Sequence, residues 1–189
     1  RIAANTLGEG NAGNVTVEAR NLFIDRQGSP TFTGIASSAE LGSGDAGNVT
    51  LTVTDTLTLQ GGGDIRTGTF TQGNAGAVTL TAGNLLVDGQ GSDHFTGITS
   101  SAESGSTGAG GDVTLTIADT LTLLNGSQIR ASTFAQGNAG SVTITASNLL
   151  VDSSYIASNT QFGSGAGGNV DLDVVDTLTV QNGGQISAS

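Results

Sequence analysis

The groups able to do chemistry are few and mostly of one sign. The 189-residue chain holds 16 carboxylates against five basic residues, all arginine, with one histidine and no cysteine or lysine. Paired carboxylates suggest acid–base work on a glycoside. Asp171 and Asp173 flank Leu172 in an alternating run. On a strand they would share one side, about 6.5–7 Å apart, near the separation an inverting glycosidase uses. No basic or aromatic sugar platform accompanies them, so a solvated face is the better reading. A lyase base would have to be an arginine, yet Arg66 and Arg130 each follow an isoleucine in a repeated context and read as structural surface charges. Gly61-Gly62-Gly63-Asp64 and Gly42-Ser43-Gly44-Asp45 echo calcium-binding turns, but the nonapeptide spacing is absent and turn chemistry accounts for them. His94 sits in a Gly-Ser-Asp-His-Phe loop and reads as solvated. The expectation is therefore no catalytic residue, no cofactor and no metal. Without cysteine, thiol catalysis, disulfides and Cys-ligated metal are excluded. A net charge of −11 argues against nucleic acid as a partner. No run reaches the ~18 apolar residues of a membrane helix, so no membrane insertion is expected.

The elements that would carry these groups are strands. Apolar residues make up 35% of the chain and alternate with threonine, as in Val49-Thr50-Leu51-Thr52-Val53 and Val113-Thr114-Leu115-Thr116-Ile117. Gly and Asn clusters punctuate every run, and no 3.6-residue stripe competes. Aligned on Ala/Gly-Gly-x-Val, valines fall at 15, 49, 78, 113, 142 and 170. A leucine follows each valine by seven or eight residues in strict alternation, at 22, 57, 85, 121, 149 and 178; an isoleucine follows at 35, 65, 98, 129, 156 and 186. Units alternate between type A, with Asn-Leu, and type B, with Asp-Thr-Leu. Three anchors per unit and almost no aromatics exclude a propeller and suit a parallel β-helix. The spacing predicts about six three-stranded coils of 28–35 residues, at 14–47, 48–76, 77–111, 112–140, 141–168 and 169–189, with 1–13 closing a preceding coil. Stacked at the interstrand spacing they would extend about 29 Å. Glycine is expected at the turns, as in Gly73-Asn74-Ala75-Gly76, to allow positive φ.

Two surface features follow. The residues opening the second strand, Asn21, Asp55, Asn84, Asp119, Asn148 and Asp176, would form a polar ladder with like charges about 9.6 Å apart, near the screening length. Phe23, Leu86 and Leu150 should face outward in type A coils, where type B coils carry threonine. The long type A loops each hold a phenylalanine, Phe32 or Phe95, expected to fold back over Phe23 and Leu86. The third A coil has only Tyr155 nearby, which leaves Leu150 either exposed or in contact with a partner. Outward Thr-x-Thr ranks such as Thr79/Thr81 and Thr143/Thr145 are similar to ice-binding faces, but they break at Glu18, Asp171 and Asp173, and threonine is the common polar residue of strands.

Gly-Asn-Ala-Gly-x-Val-Thr, Leu-Thr-Leu, Gly-x-Gln-Ile and Ser-Thr-Phe-x-Gln-Gly, densest over 125–146, resemble the repeats of filamentous-haemagglutinin-type exoproteins, the cyanobacterial kind above all. The resemblance spans essentially all 189 residues. It implies a right-handed parallel β-helix, two-partner secretion, an extracellular location at a bacterial surface, and a role in adhesion or fibres. The expected partners are neighbouring repeats or other copies of the chain, and cell-surface glycans or proteins. Both ends fall in a third strand without a cap, so a slice of a longer repetitive chain is expected. The leading expectation is a non-catalytic shaft. An end-to-end assembling filament subunit is the alternative, and a carbohydrate-acting β-helix enzyme the third.

Overall fold

A computed structural model describes residues 1–134, 136–161 and 164–189. Among the described residues fourteen strands and no helix form one parallel β-solenoid of about six turns. One sheet stacks β1 (Ile2–Ala3), β4 (Thr33–Ala39), β6 (Gly63–Thr69), β8 (Gly97–Ala102), β10 (Gln128–Thr133), β12 (Tyr155–Thr160) and β14 (Gln185–Ala188). The other stacks β2 (Val15–Ala19) and β3 (Leu22–Asp25) on β5 (Val49–Gln60), then β7 (Val78–Asp88), β9 (Val113–Leu124), β11 (Val142–Asp152) and β13 (Val170–Gln181).

The period-2 pattern decides which residues enter the stack. Along β5 the apolar positions are buried and the threonines between them exposed or half-buried, as the pleat requires. Like therefore lies on like: Val49, Val78, Val113 and Val142 in one column, Leu57, Leu85, Leu121 and Leu149 in another, and Ile35, Ile65, Ile98, Ile129 and Ile156 in a third. All are essentially inaccessible to water. Each such side chain contributes about 1.5–3 kcal/mol by burial.

The alternating spacing of seven and eight has a simple origin. The first two strands of a coil are separate only as β2 and β3; later they are one long strand with a shift in pairing near its middle. Opposite Ala146 and Asn148 of β11 stand Val174 and Thr177 of β13, so the type B coil carries one extra residue at the bend, a β-bulge. This corrects the polar ladder. Asn84 pairs with Thr56, and Asn148 with Thr120 and Thr177, while Asp55, Asp119 and Asp176 belong to the bulges. Asn21 and Asn84 still bind the next coil: their Oδ1 atoms accept the N–H of Thr56 and Thr120 at 3.2 and 3.3 Å.

A stronger ladder runs up the Gly-Asn-Ala-Gly turn. Asn11, Asp45 and Asn74 each accept, through Oδ1, the backbone N–H of the next coil's Asp45, Asn74 and Ala109, at 2.7–2.9 Å. Asn14 and Asn48 do the same for Asn48 and Ala77, three residues on. Replacing Asn74 by alanine should strand one N–H at an exposed corner and cost about 1 kcal/mol, read as a shift in the urea midpoint.

The glycines of this turn correct a second expectation. Gly73 and Gly76 do not have positive φ, nor do Gly137 and Gly140 of the equivalent Gly137-Asn138-Ala139-Gly140 turn; Gly10, which opens the equivalent turn of the first coil, does. They are needed because coils meet backbone to backbone. A Cβ on Gly76 would lie 2.1 Å from the Gly47 carbonyl oxygen, and one on Gly111 2.2 Å from that of Gly76. From inside, Ser100 Oγ donates to the Gly76 carbonyl at 2.7 Å and accepts the Gly111 N–H at 2.9 Å, tying the first sheet to the turn.

Candidate functional site

The outer face of the long-strand sheet is a lawn of threonine with little else. On it Asp171 and Asp173 are exposed, and they pair along the ladder with Thr143 and Thr145. No basic or aromatic group joins them in any cavity described. Phe23 points outward and is 59% exposed, while Leu86 and Leu150 are half-buried.

The chemically varied face is the outside of the other sheet. Outward positions there form columns. One reads Gly34, Asp64, Gly97, Gln128, Tyr155, Gln185; the next reads Ala36, Arg66, Thr99, Arg130, Ala157, Ser187. Just past the strand ends, backbone hydrogen bonds line up Glu40, Phe70, Glu103 and Phe134. Glu40 is held by the Asn5 amide, and Glu103 accepts from Ser101 Oγ at 2.6 Å.

The two long loops fold back over this face, not over Phe23 and Leu86. The Arg66 guanidinium lies 4.3 Å from the centre of the Phe32 ring, and that of Arg130 lies 4.9 Å from Phe95 and 5.5 Å from Phe134. The expected cover for Phe23 and Leu86 is thus absent. An arginine attracts the electron-rich face of a ring, worth about 0.5–1 kcal/mol at a partly exposed site, whereas Phe23 offers only apolar contact. Bare Gly34 leaves room for the ring: a Cβ there would come within 3.0 Å of the tip of Phe32, besides striking the Asp64 carbonyl oxygen. Tyr155 stands in the same face, half-buried, with no loop above it of the kind that carries Phe32.

Beneath the loops Asp64 is 5% exposed. Its Oδ2 lies 3.6 Å from Arg66 Nη1, and its Oδ1 has no hydrogen-bond partner among the described residues; the same is true of Arg66 Nε and Gln128 Oε1. Burial pushes the Asp64 carboxyl up to about 7, against the pull of Arg66 and Arg130. The two Gly-Asp turns thus place their acids differently. Asp64 is buried beside an arginine, and Asp45 accepts the Asn74 N–H at 2.7 Å. Removing the Phe32 ring should open Asp64 to water and lower its pKa toward the ordinary carboxylate range; carbon-detected NMR titration of Phe32→Ser would show it.

In the sequence Arg66 and Arg130 read as surface charges without a ring partner, Gln128 and Phe134 enter only as parts of the repeat motifs, and Phe70 has no assigned role. A signal was present: Ile65-Arg66 with Phe70, and Ile129-Arg130 with Phe134, repeat two coils apart with equal spacing. Two hollows open on this face. One of about 390 Å³ lies among Leu7, Glu40, Leu41, Arg66 and Phe70; the other, about 170 Å³, lies beyond Arg130. Among the described residues no three His, Asp or Glu side chains converge as a metal site. The chain has no match among protein-family models, curated proteins or solved structures.

Proposed function

We propose that the chain is a non-catalytic shaft segment of a secreted bacterial surface adhesin or extracellular fibre. The observation that carries this reading is the unbroken parallel pairing of every coil with the next, on both sheets. Stretching or bending such a rod must break ladders of backbone hydrogen bonds together with the side-chain ladders of the turn, so it is stiff along its axis. The acidic, threonine-rich outer surface keeps it soluble. The repeat motifs, similar to those of filamentous-haemagglutinin-type exoproteins, support the extracellular setting. Antibodies raised against the segment should label projections outside intact cells of the source bacterium. Labelling confined to the cell interior would refute the reading.

A second reading has its own support. At one end of the stack Leu178 and Val180 are 48% and 44% exposed, and at the other Ile2 is 49% exposed. These apolar edges can be covered by further coils of the same chain or by another copy. Negative-stain microscopy of the purified segment separates the two: concentration-dependent filaments favour an assembling subunit, and single short rods favour the shaft.

A further inference from the structure

We propose that the groove over β10, β12 and β14 binds the carboxylate-bearing sugar unit of an acidic polysaccharide. Its walls are Arg130, Tyr155, Asn159, Gln161, Gln185 and Ser187, around a volume of about 170 Å³. Three observations converge on this ligand.

The first is charge. The chain carries a net −11, yet no acid lines the groove. Among the described residues Arg130 makes no ion pair; its Nε donates to Thr99 Oγ1 at 3.3 Å, and two rings lie near it. A guanidinium at the edge of an acid-free hollow is suited to a carboxylate from outside the chain.

The second is access. The loops before β4 and β8 are long and bring Phe32 and Phe95 onto this face, but only two residues, Ser153 and Ser154, separate β11 from β12. Among the described residues the face therefore has no cover where the third such loop would lie.

The third is the chemistry of the walls. Three carboxamides and a hydroxyl offer both donors and acceptors, which is what neighbouring sugar hydroxyls need. Asn159 Oδ1 is engaged by Ser132 at 2.7 Å, while its N–H donors are unused within the described chain. Tyr155 adds a ring for the apolar face of a pyranose. The volume is below the ~300 Å³ of a pocket for a drug-sized ligand, so it suits one sugar ring, with the polymer continuing along the sheet.

The test is NMR titration of the intact segment with trigalacturonate, with neutral maltotriose in parallel. Saturable shifts at Tyr155 and Gln185 are expected with the acidic trimer at millimolar concentration, and about tenfold weaker binding with the neutral one. Arg130→Gln should weaken trigalacturonate binding about tenfold or more. Because Arg130 also holds two rings, Gln185→Glu is the second variant: that residue is exposed, and the added charge should repel the ligand without disturbing the fold. Absence of saturable shifts, equal binding of both trimers, or unchanged affinity in Gln185→Glu would each overturn the proposal. Failure here leaves the shaft reading to its own test.

Discussion

Alanine at Gly76 should destabilise the solenoid by about 3 kcal/mol or more, while alanine at Gly8 should leave it nearly unchanged. The two substitutions add the same methyl group. At Gly8 nothing lies within 4 Å of the added carbon; at Gly76 it falls 2.1 Å from the Gly47 carbonyl oxygen and 2.6 Å from the carbonyl carbon. Neither obstacle is a flexible side chain. Both belong to the backbone of the preceding coil, held by the Ser37 and Thr67 hydroxyls around Gly47 and Gly76. The turn can admit the methyl only by parting two coils, which lengthens the bonds that Asp45 and Asn48 accept from the Asn74 and Ala77 N–H groups nearby. The gain from removing a glycine's freedom in the unfolded chain, about 0.4–1 kcal/mol, is too small to offset this. Urea unfolding followed by circular dichroism reads both variants. Equal midpoints would mean that coil spacing at the turn is soft.

The second large effect concerns acidity. The Asp64 carboxyl has a folded-state pKa of about 7 against an ordinary 3.8. A raised acid favours folding in its protonated form. That contribution is complete below pH 3.8 and is lost as pH rises toward 7. The shift is worth about 4 kcal/mol. Asp25 and Asp152 are shifted the other way by hydrogen bonds from Gln60 and Gln181, so they lose stability only as pH falls below the ordinary carboxylate value. The window between about pH 4 and 7 therefore belongs to Asp64. Wild-type protein should unfold at lower urea at pH 8 than at pH 5, and Asp64→Asn should flatten that slope and be the more stable protein at pH 8. General repulsion among the carboxylates acts on both proteins alike, so the difference between them isolates this one group. Parallel pH profiles would show that Asp64 is solvated or fully neutralised by Arg66.

The solenoid is legible in the residues because its rule is local. One isoleucine per strand, repeated at positions 35, 65, 98, 129 and 156, needs only the pleat and the strand spacing to become a buried column. The extra residue of the type B coils is visible as a spacing of eight in place of seven, but its meaning is not. A bulge shifts which residues face one another, so Asn84 meets Thr56 where matching by residue type had set it against aspartate. The role of the turn glycines is hidden for a related reason: φ belongs to one residue, whereas the approach of Gly76 to Gly47 depends on how two coils stack. The face around Asp64 is hardest to read. Phe32 sits seven residues beyond β3 and could reach either sheet from its loop. Arg66, which decides the direction, lies in the next coil, and the burial of Asp64 follows only once that loop is down.

The side-chain ladder of the turn is not symmetric. Among the described residues the acceptors Asn11, Asn14, Asp45, Asn48, Asn74, Asp112, Asn138 and Ser141 all serve the backbone N–H of the coil that comes later in the chain. A finished coil thus presents ready carboxamide, carboxylate and hydroxyl oxygens toward residues not yet in place, and these accept each new turn as it arrives. Such an arrangement favours folding as a zipper that advances from the N-terminal side. A polypeptide emerging N-terminus first, from a ribosome or through a narrow pore, would find its template already built behind it.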